Sequence, residues 1–169
     1  MSKPSPTSHP SYFQKYINLV PEDDLGAAFK NQWPVITQLL SDITEQQSNH
    51  AYATDKWTIK ELLQHMTDTE RVFAFRSLSF ARKDVNPLPG FDENDYAANS
   101  NASLRTWKDL VEEFLLVRKT TEILFGSFTT DALSSSGIAN NNPATVSSMG
   151  FTAIGHVYHH FNILKERYL

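Results

Sequence analysis

Apolar residues recur at helical spacing in four stretches of the chain, and none of these stretches shows the strict alternation of a half-buried strand. The four stretches are predicted as helices over 21–43, 58–82, 103–125 and 145–169. Pro34 lies inside the first predicted helix and is expected to kink or split it. Four helices of this length, joined by long crossover loops, predict an all-α protein with the architecture of a four-helix bundle.

The segments outside these helices differ in what they predict. Residues 1–20 are expected to form a flexible N-terminal leader, and 21–169 a single domain, because a chain of 169 residues suits one core. The connection over 84–102 contains two prolines and a glycine, which interrupt regular structure. A loop this long in a compact domain is usually functional or disordered. Its aromatic and acidic residues favour a functional loop, although the sequence leaves its role open.

Composition and charge narrow the classes of function. The net charge is −4 and no basic run occurs, so neither nucleic acid nor a charged membrane surface is an expected partner. No apolar stretch is long enough to span a membrane, and the N-terminus has no signal-peptide pattern, so we expect a cytoplasmic protein. The chain has no cysteine. Any bound metal must therefore be held by nitrogen and oxygen ligands.

Three of the six histidines lie close together within an apolar run, IGHVYHHFNIL. At about 100° per residue, His156 and His160 fall one turn apart on the predicted buried stripe, whereas His159 points toward solvent or a partner. His65 lies at the margin of the buried stripe of the second predicted helix. Two imidazoles one turn apart plus a third from another helix suit zinc, nickel, iron or copper, and leave a coordination position open for catalysis. The alternative is that these are core histidines satisfied by hydrogen bonds.

Asp68 and Arg76 are the remaining catalytic candidates, and each has a structural alternative. Asp68 could act as a base or orient a ligand histidine, but an ion pair with Arg71 or Arg76 is the interpretation we favour. Arg76 could meet an anionic substrate, or else be held in an ion pair. Glu61 could orient His65, but its spacing from Thr58 favours a capping box.

The segments KWTIKELLQHMTDTERVFAFRSLSFAR, PLPGFDENDYA and GHVYHHFNILKERYL resemble the DinB-like superfamily. The likeness extends from about residue 20 to the end of the chain. This group includes metal-dependent hydrolases of the YfiT kind and the bacillithiol, mycothiol and glutathione-type S-transferases. The resemblance implies a four-helix bundle that holds a divalent metal, zinc or nickel, on His65, His156 and His160. It also implies a homodimer in the bacterial cytoplasm.

These observations leave three hypotheses open. The first is a metal-dependent enzyme, either a thiol S-transferase or a hydrolase, that acts on a small molecule such as a low-molecular-weight thiol. The second is a stress-related bundle protein that binds a metal or another ligand without catalysis. The third is a structural dimer whose histidines belong to the core. The three ligands and a pocket would serve either chemistry of the first hypothesis, so the sequence does not separate them.

Overall fold

The computed structural model describes residues 2–169, which are mainly helical. The elements in chain order are two 3₁₀ turns (Pro6–Ser8 and Ser11–Phe13), α1 (Gln14–Ile17), α2 (Leu25–Asp42), α3 (Glu45–Ser48), α4 (Ile59–Ala81), α5 (Glu93–Asn99), a 3₁₀ turn (Ala102–Leu104), α6 (Trp107–Gly126), α7 (Thr130–Ser134), β1 (Ser136–Ala139), β2 (Asn142–Thr145) and α8 (Val146–Arg167). The four long helices form a bundle, as the hydrophobic pattern predicts. Among residues 2–169, no helix is both long and apolar enough to cross a membrane.

The four long helices pack in a ring. α4 packs against both α6 and α8, and α2 packs against the same two helices. α2 and α4 therefore lie on one diagonal of the bundle, and α6 and α8 on the other. Because α4 and α8 are neighbours, side chains on their facing sides meet inside the bundle.

Local sequence sets the ends of the long helices. The Thr58 hydroxyl accepts the amide N–H of Glu61, and the Glu61 carboxylate accepts the amide N–H of Thr58, so the predicted capping box at the start of α4 is confirmed. Thr145 caps α8 in the same way. Pro34 does not split α2, which runs unbroken through it. The residue is exposed, and so is Lys30, whose carbonyl loses its usual helical partner at this point.

The core consists of two apolar clusters with a buried polar layer between them. In that layer Arg118 on α6 donates from Nη1 to both carboxylate oxygens of Glu70 on α4, at 3.0 and 3.1 Å. Its Nη2 donates to the side-chain oxygen of Gln32 on α2. The Gln32 amide donates in turn to the carbonyl of Ile154 on α8, at 2.9 Å. One network therefore ties all four long helices together.

A small hairpin precedes α8, although no strand was predicted. β1 and β2 pair antiparallel, and the two-residue turn between them, Asn140 and Asn141, has φ of 49° and 59°. Asparagine tolerates this left-handed region, which two-residue hairpin turns of type I′ require. The hairpin also holds the 84–102 connection, because the amide of Leu88 donates to Ile138 and its carbonyl accepts from Asn140. Four-residue strands give too short an alternation to be recognised in a sequence.

The N-terminal residues pack on the bundle. Phe13, Ile17 and Val20 are each at most 3% exposed, and α1 packs against α8. This packing differs from the leader expected over 1–20, because three apolar residues at positions i, i+4 and i+7 form a stripe that the bundle covers. The division of the chain into a leader and a domain from residue 21 stays a prediction.

Two further departures concern the predicted connection over 84–102 and the third helix. The connection contains a short helix, α5, which Asp92 caps by accepting the amides of Asn94 and Asp95. The third helix begins at Trp107 and not at residue 103. Leu104 therefore lies outside the long helix, and it is 83% exposed.

Candidate metal centre

The three predicted histidines meet between α4 and α8. His65 comes from α4, and His156 and His160 from consecutive turns of α8. The Nε2 atoms of His65 and His156 are 3.2 Å apart, and those of His160 and His156 are 3.0 Å apart. Each histidine is at most 8% exposed. The structure thus brings together all three residues that the sequence nominated as a metal site.

Hydrogen bonds among the three histidines do not satisfy all of their ring nitrogens. A neutral imidazole nitrogen carries either one N–H or one lone pair, so His156 Nε2 makes one strong hydrogen bond although it faces two neighbours. His160 Nδ1 is buried and has no hydrogen-bond partner within residues 2–169. A divalent cation would instead take one lone pair from each ring. Two nitrogens bound tetrahedrally to zinc at about 2.0–2.1 Å lie about 3.3 Å apart, close to the observed spacings, so the residues present fit such an ion.

Burial keeps the three imidazoles neutral. It lowers the pKa of His65 to about 4, with a smaller contribution from the charge of His159. Burial also holds the pKa of His156 and of His160 well below the ordinary value, and the neighbouring histidines add to the effect. Neutral imidazole is the form that binds metal ions. At neutral pH the cluster therefore presents lone pairs rather than positive charge.

The cluster borders a cavity of about 500 Å³, a volume typical of small-molecule sites. Its walls are largely aromatic. The ring of Trp57 lies 4.8 Å from that of His65, and the ring of Phe73 lies 6.1 Å from that of His156. The other aromatic lining residues are Tyr12, Phe13, Tyr16 and Phe91.

The two catalytic candidates lie in different places. Arg76 lines the cavity, is 6% exposed and donates from Nη2 to the carbonyl of Pro89 at 2.8 Å. Asp68 does not line it. Its carboxylate accepts from the Gln64 amide at 3.0 Å and lies 3.4 Å from Arg71, in the ion pair that we favoured. Asp68 therefore lies in an ion pair with Arg71, which also contacts Glu113 on α6.

His159 lines the cavity, although the helical pattern directs it toward solvent or a partner. The ring of Tyr16 lies 5.3 Å from that of His159 and 5.6 Å from that of His156, so the N-terminal segment covers this side of α8. Tyr12, Phe13, Lys15 and Tyr16 are lining residues that sequence reasoning missed. The helical spacing of Phe13, Ile17 and Val20 was the signal that could have revealed them.

The chain is similar to known proteins in both its sequence pattern and its fold. The family model of the DinB superfamily matches residues 28–164. No match to a curated protein sequence was found. YfiT from Bacillus subtilis, described as a probable metal-dependent hydrolase with an unusual four-helix bundle topology, superimposes with a TM-score of 0.69 at 14% identity, over 97% of this chain and 90% of that one.

A second similar structure is the mycothiol-dependent maleylpyruvate isomerase. It superimposes with a TM-score of 0.65 at 13% identity, and the match covers 89% of this chain. The chain spans 59% of the length of that protein. At these identities the two likenesses establish the fold.

Proposed function

The chain belongs to the DinB superfamily, and on that premise we propose that it is a metal-dependent enzyme acting on a small molecule. His65, His156 and His160 hold one divalent ion, zinc or nickel. The reaction is the transfer of a low-molecular-weight thiol or a hydrolysis. One observation carries this proposal, namely the convergence of three buried Nε2 atoms at the wall of a cavity.

The geometry suits an open catalytic site better than a closed structural one. Three protein ligands leave one position of a tetrahedral ion free, whereas structural zinc sites are filled by four. Within residues 2–169, the group of side chains whose ligand atoms lie close enough together to hold one ion consists of the three histidines.

Thiol transfer and hydrolysis would use the same residues of this chain. When bound, the ion supplies a Lewis acid that lowers the pKa of a thiol or of water and so makes it nucleophilic. The three histidines position the reacting group, and Trp57 and Phe73 exclude bulk water from one side of it. One similar structure is described as a probable metal-dependent hydrolase, which supports hydrolysis. The other is a mycothiol-dependent isomerase, which supports chemistry with a low-molecular-weight thiol.

Metal analysis of protein purified without an affinity tag tests the site. We expect about one zinc or nickel ion per chain and its loss in His156→Ala, since two imidazoles hold a divalent ion far less tightly than three. His50→Ala removes an exposed histidine outside the cavity and serves as the matched control. Equal metal content in His156→Ala and the control would overturn the proposed site.

Assays of substrate turnover distinguish an enzyme from a protein that only binds a metal. We expect the metal-loaded protein to consume thiols with electrophiles, or to hydrolyse esters and amides, and His156→Ala to be inactive. Stoichiometric metal without turnover of any compound in such panels would favour the alternative, a non-catalytic stress-related protein that binds a metal or another ligand.

We also propose that the protein is cytoplasmic and forms a homodimer. Phe75 on α4 is 58% exposed, and Leu116 and Ile123 on α6 are 61% and 60% exposed. Large apolar side chains at the surface are suited to burial against a second copy. Light scattering coupled to size exclusion is expected to give twice the 19.2 kDa mass of the chain.

A further inference from the structure

Arg76 is a buried residue whose side chain lines the cavity. It is 6% exposed, yet within residues 2–169 no Asp or Glu oxygen lies within 4.0 Å of it. The hydrogen bond that it donates goes to the Pro89 carbonyl, and its Cζ atom lies 6.0 Å from the ring centre of Phe91. A buried charge without a counter-ion is costly, and Arg118, the fully buried arginine at the centre of the bundle, is paired with Glu70. The remaining N–H groups of Arg76 are therefore available to a ligand.

Arg76 shares one face of α4 with His65. The two residues are eleven positions apart, which is about 20° of rotation and about 16 Å of rise along the helix. Long side chains on a helix lean toward its N-terminus, which is the direction of His65 from Arg76. Thr69 lines the cavity between them, and its buried hydroxyl has no hydrogen-bond partner among the described residues.

The charges around the cavity favour an anion. Arg76 and Lys15 line it, and among residues 2–169 Glu93 is the one acidic residue of the lining. Lys15 lies over the ring of Tyr16 at 4.7 Å and, within residues 2–169, has no acidic group within 4.0 Å. The three histidines are neutral and do not change this balance.

We propose that Arg76 is a specificity residue that binds the carboxylate of an elongated substrate while the reacting end of that substrate lies at the three histidines. This inference rests on the proposed function for the reacting end, and on Arg76 alone for the acidic end. A single planar guanidinium among aromatic walls matches the two oxygens of a carboxylate, since its donors form a fork of the same geometry. The aromatic walls pack against the apolar body that joins the two ends.

The test compares a carboxylate with its amide in the metal-free protein, where no ion competes for the acid. The probes are 4-phenylbutyrate and 4-phenylbutanamide, which differ in charge but hardly in shape, and binding is measured by calorimetry at neutral pH. We expect the wild-type protein to prefer the acid by about tenfold or more, because hydrogen bonds between two charged groups are stronger than those in which one partner is neutral.

Arginine variants test whether Arg76 causes the preference for the acid over the amide. Arg76→Gln is expected to bring the ratio of the two affinities close to one, and Arg76→Lys to retain part of the preference. Arg82→Gln is the matched control, because Arg82 is an exposed arginine at the end of the same helix and outside the cavity lining, and it should keep the wild-type ratio. Because Arg76 also donates a hydrogen bond to Pro89, circular dichroism is used to check that the variants are folded. A loss of binding that affects both probes equally leaves the ratio of the two affinities unchanged.

The remaining outcomes overturn the proposal. These are equal affinities of the wild-type protein for the two probes, an unchanged ratio in Arg76→Gln, or no binding of either probe at millimolar concentration. Metal analysis keeps the two proposals apart. A preference for the acid in a protein that never binds metal refutes the proposed function alone, and metal binding without such a preference refutes the role of Arg76 alone.

Discussion

Gly155 determines how closely the N-terminal segment approaches the histidine pair. A Cβ atom at this position would lie 2.0 Å from the carbonyl oxygen of Tyr16, which is backbone and cannot rotate away. The contact places the Tyr16 ring against the rings of His156 and His159. A residue without a side chain is therefore what lets this wall of the cavity form.

Gly155→Ala should push α1 away from α8 and lower the free energy of unfolding by about 1–3 kcal/mol, the usual cost of overpacking. Urea denaturation followed by circular dichroism measures it. Gly126→Ala is the control, because it ends α6 and, among residues 2–169, its added Cβ would meet no side chain and no backbone of another segment within 4 Å. We expect that variant to match or exceed wild-type stability by up to about 1 kcal/mol. Equal stability of the two variants would contradict the proposed crowding at Gly155.

At the scale of elements, the side chain of Glu45 connects three helices. It begins α3, accepts from Nζ of the buried Lys60 on α4 at 2.5 Å, and accepts from the amide of Trp107 at the start of α6 at 2.6 Å. The hydrogen bond from Lys60, and after it the one from the Trp107 amide, lower the pKa of Glu45. The carboxylate thus satisfies a buried ammonium group and a helix N-terminus together.

This contact predicts a pH dependence of stability. Because the pKa of Glu45 is lower in the folded state, its contribution is fully present above the ordinary carboxyl pKa of about 4.3 and is lost as the pH falls through the lowered value. Glu45→Gln should therefore be less stable than wild type at neutral pH, and the difference should shrink in acid. Urea titrations at several pH values test this, with the exposed Glu112→Gln as control. A difference that is independent of pH would exclude the charge of Glu45 as its cause.

The elements also explain what the sequence could predict. α4 and α8 are long, their apolar residues repeat at 3.6, and Thr58 and Thr145 cap them. The facing directions of His65, His156 and His160 follow from that regularity, which left metal ligands and core histidines as alternatives. The resemblance then favoured metal ligands. Contacts between distant segments leave no such periodic signal. The approach of Tyr16 to α8, which turns His159 into a lining residue, and the contact of Glu45 with Trp107 depend on tertiary packing alone.

At the scale of the molecule, the bundle has a charged pair at its centre. Arg118 is fully buried, Glu70 is 2% exposed, and their network reaches all four long helices. The Arg118 side chain also lies 4.6 Å from the ring centre of Phe29. Such a pair contributes little net stability, since the cost of removing two charges from water offsets their attraction. It does penalise any arrangement of the helices that separates the two charges.

The two partners should therefore behave differently when replaced singly and together. Glu70→Leu leaves the Arg118 charge buried and unpaired, and is expected to lower the free energy of unfolding by about 3–5 kcal/mol. The double variant Glu70→Leu, Arg118→Met removes both charges at similar volume, so it should recover most of that loss. Denaturant titration of the two variants measures the coupling. Lys119→Ala, which breaks an exposed pair with Glu122, should cost less than about 1 kcal/mol. If the double variant were less stable than Glu70→Leu, the pair would be a net source of stability, and the bundle would depend on its central charges rather than on the two apolar clusters that flank them.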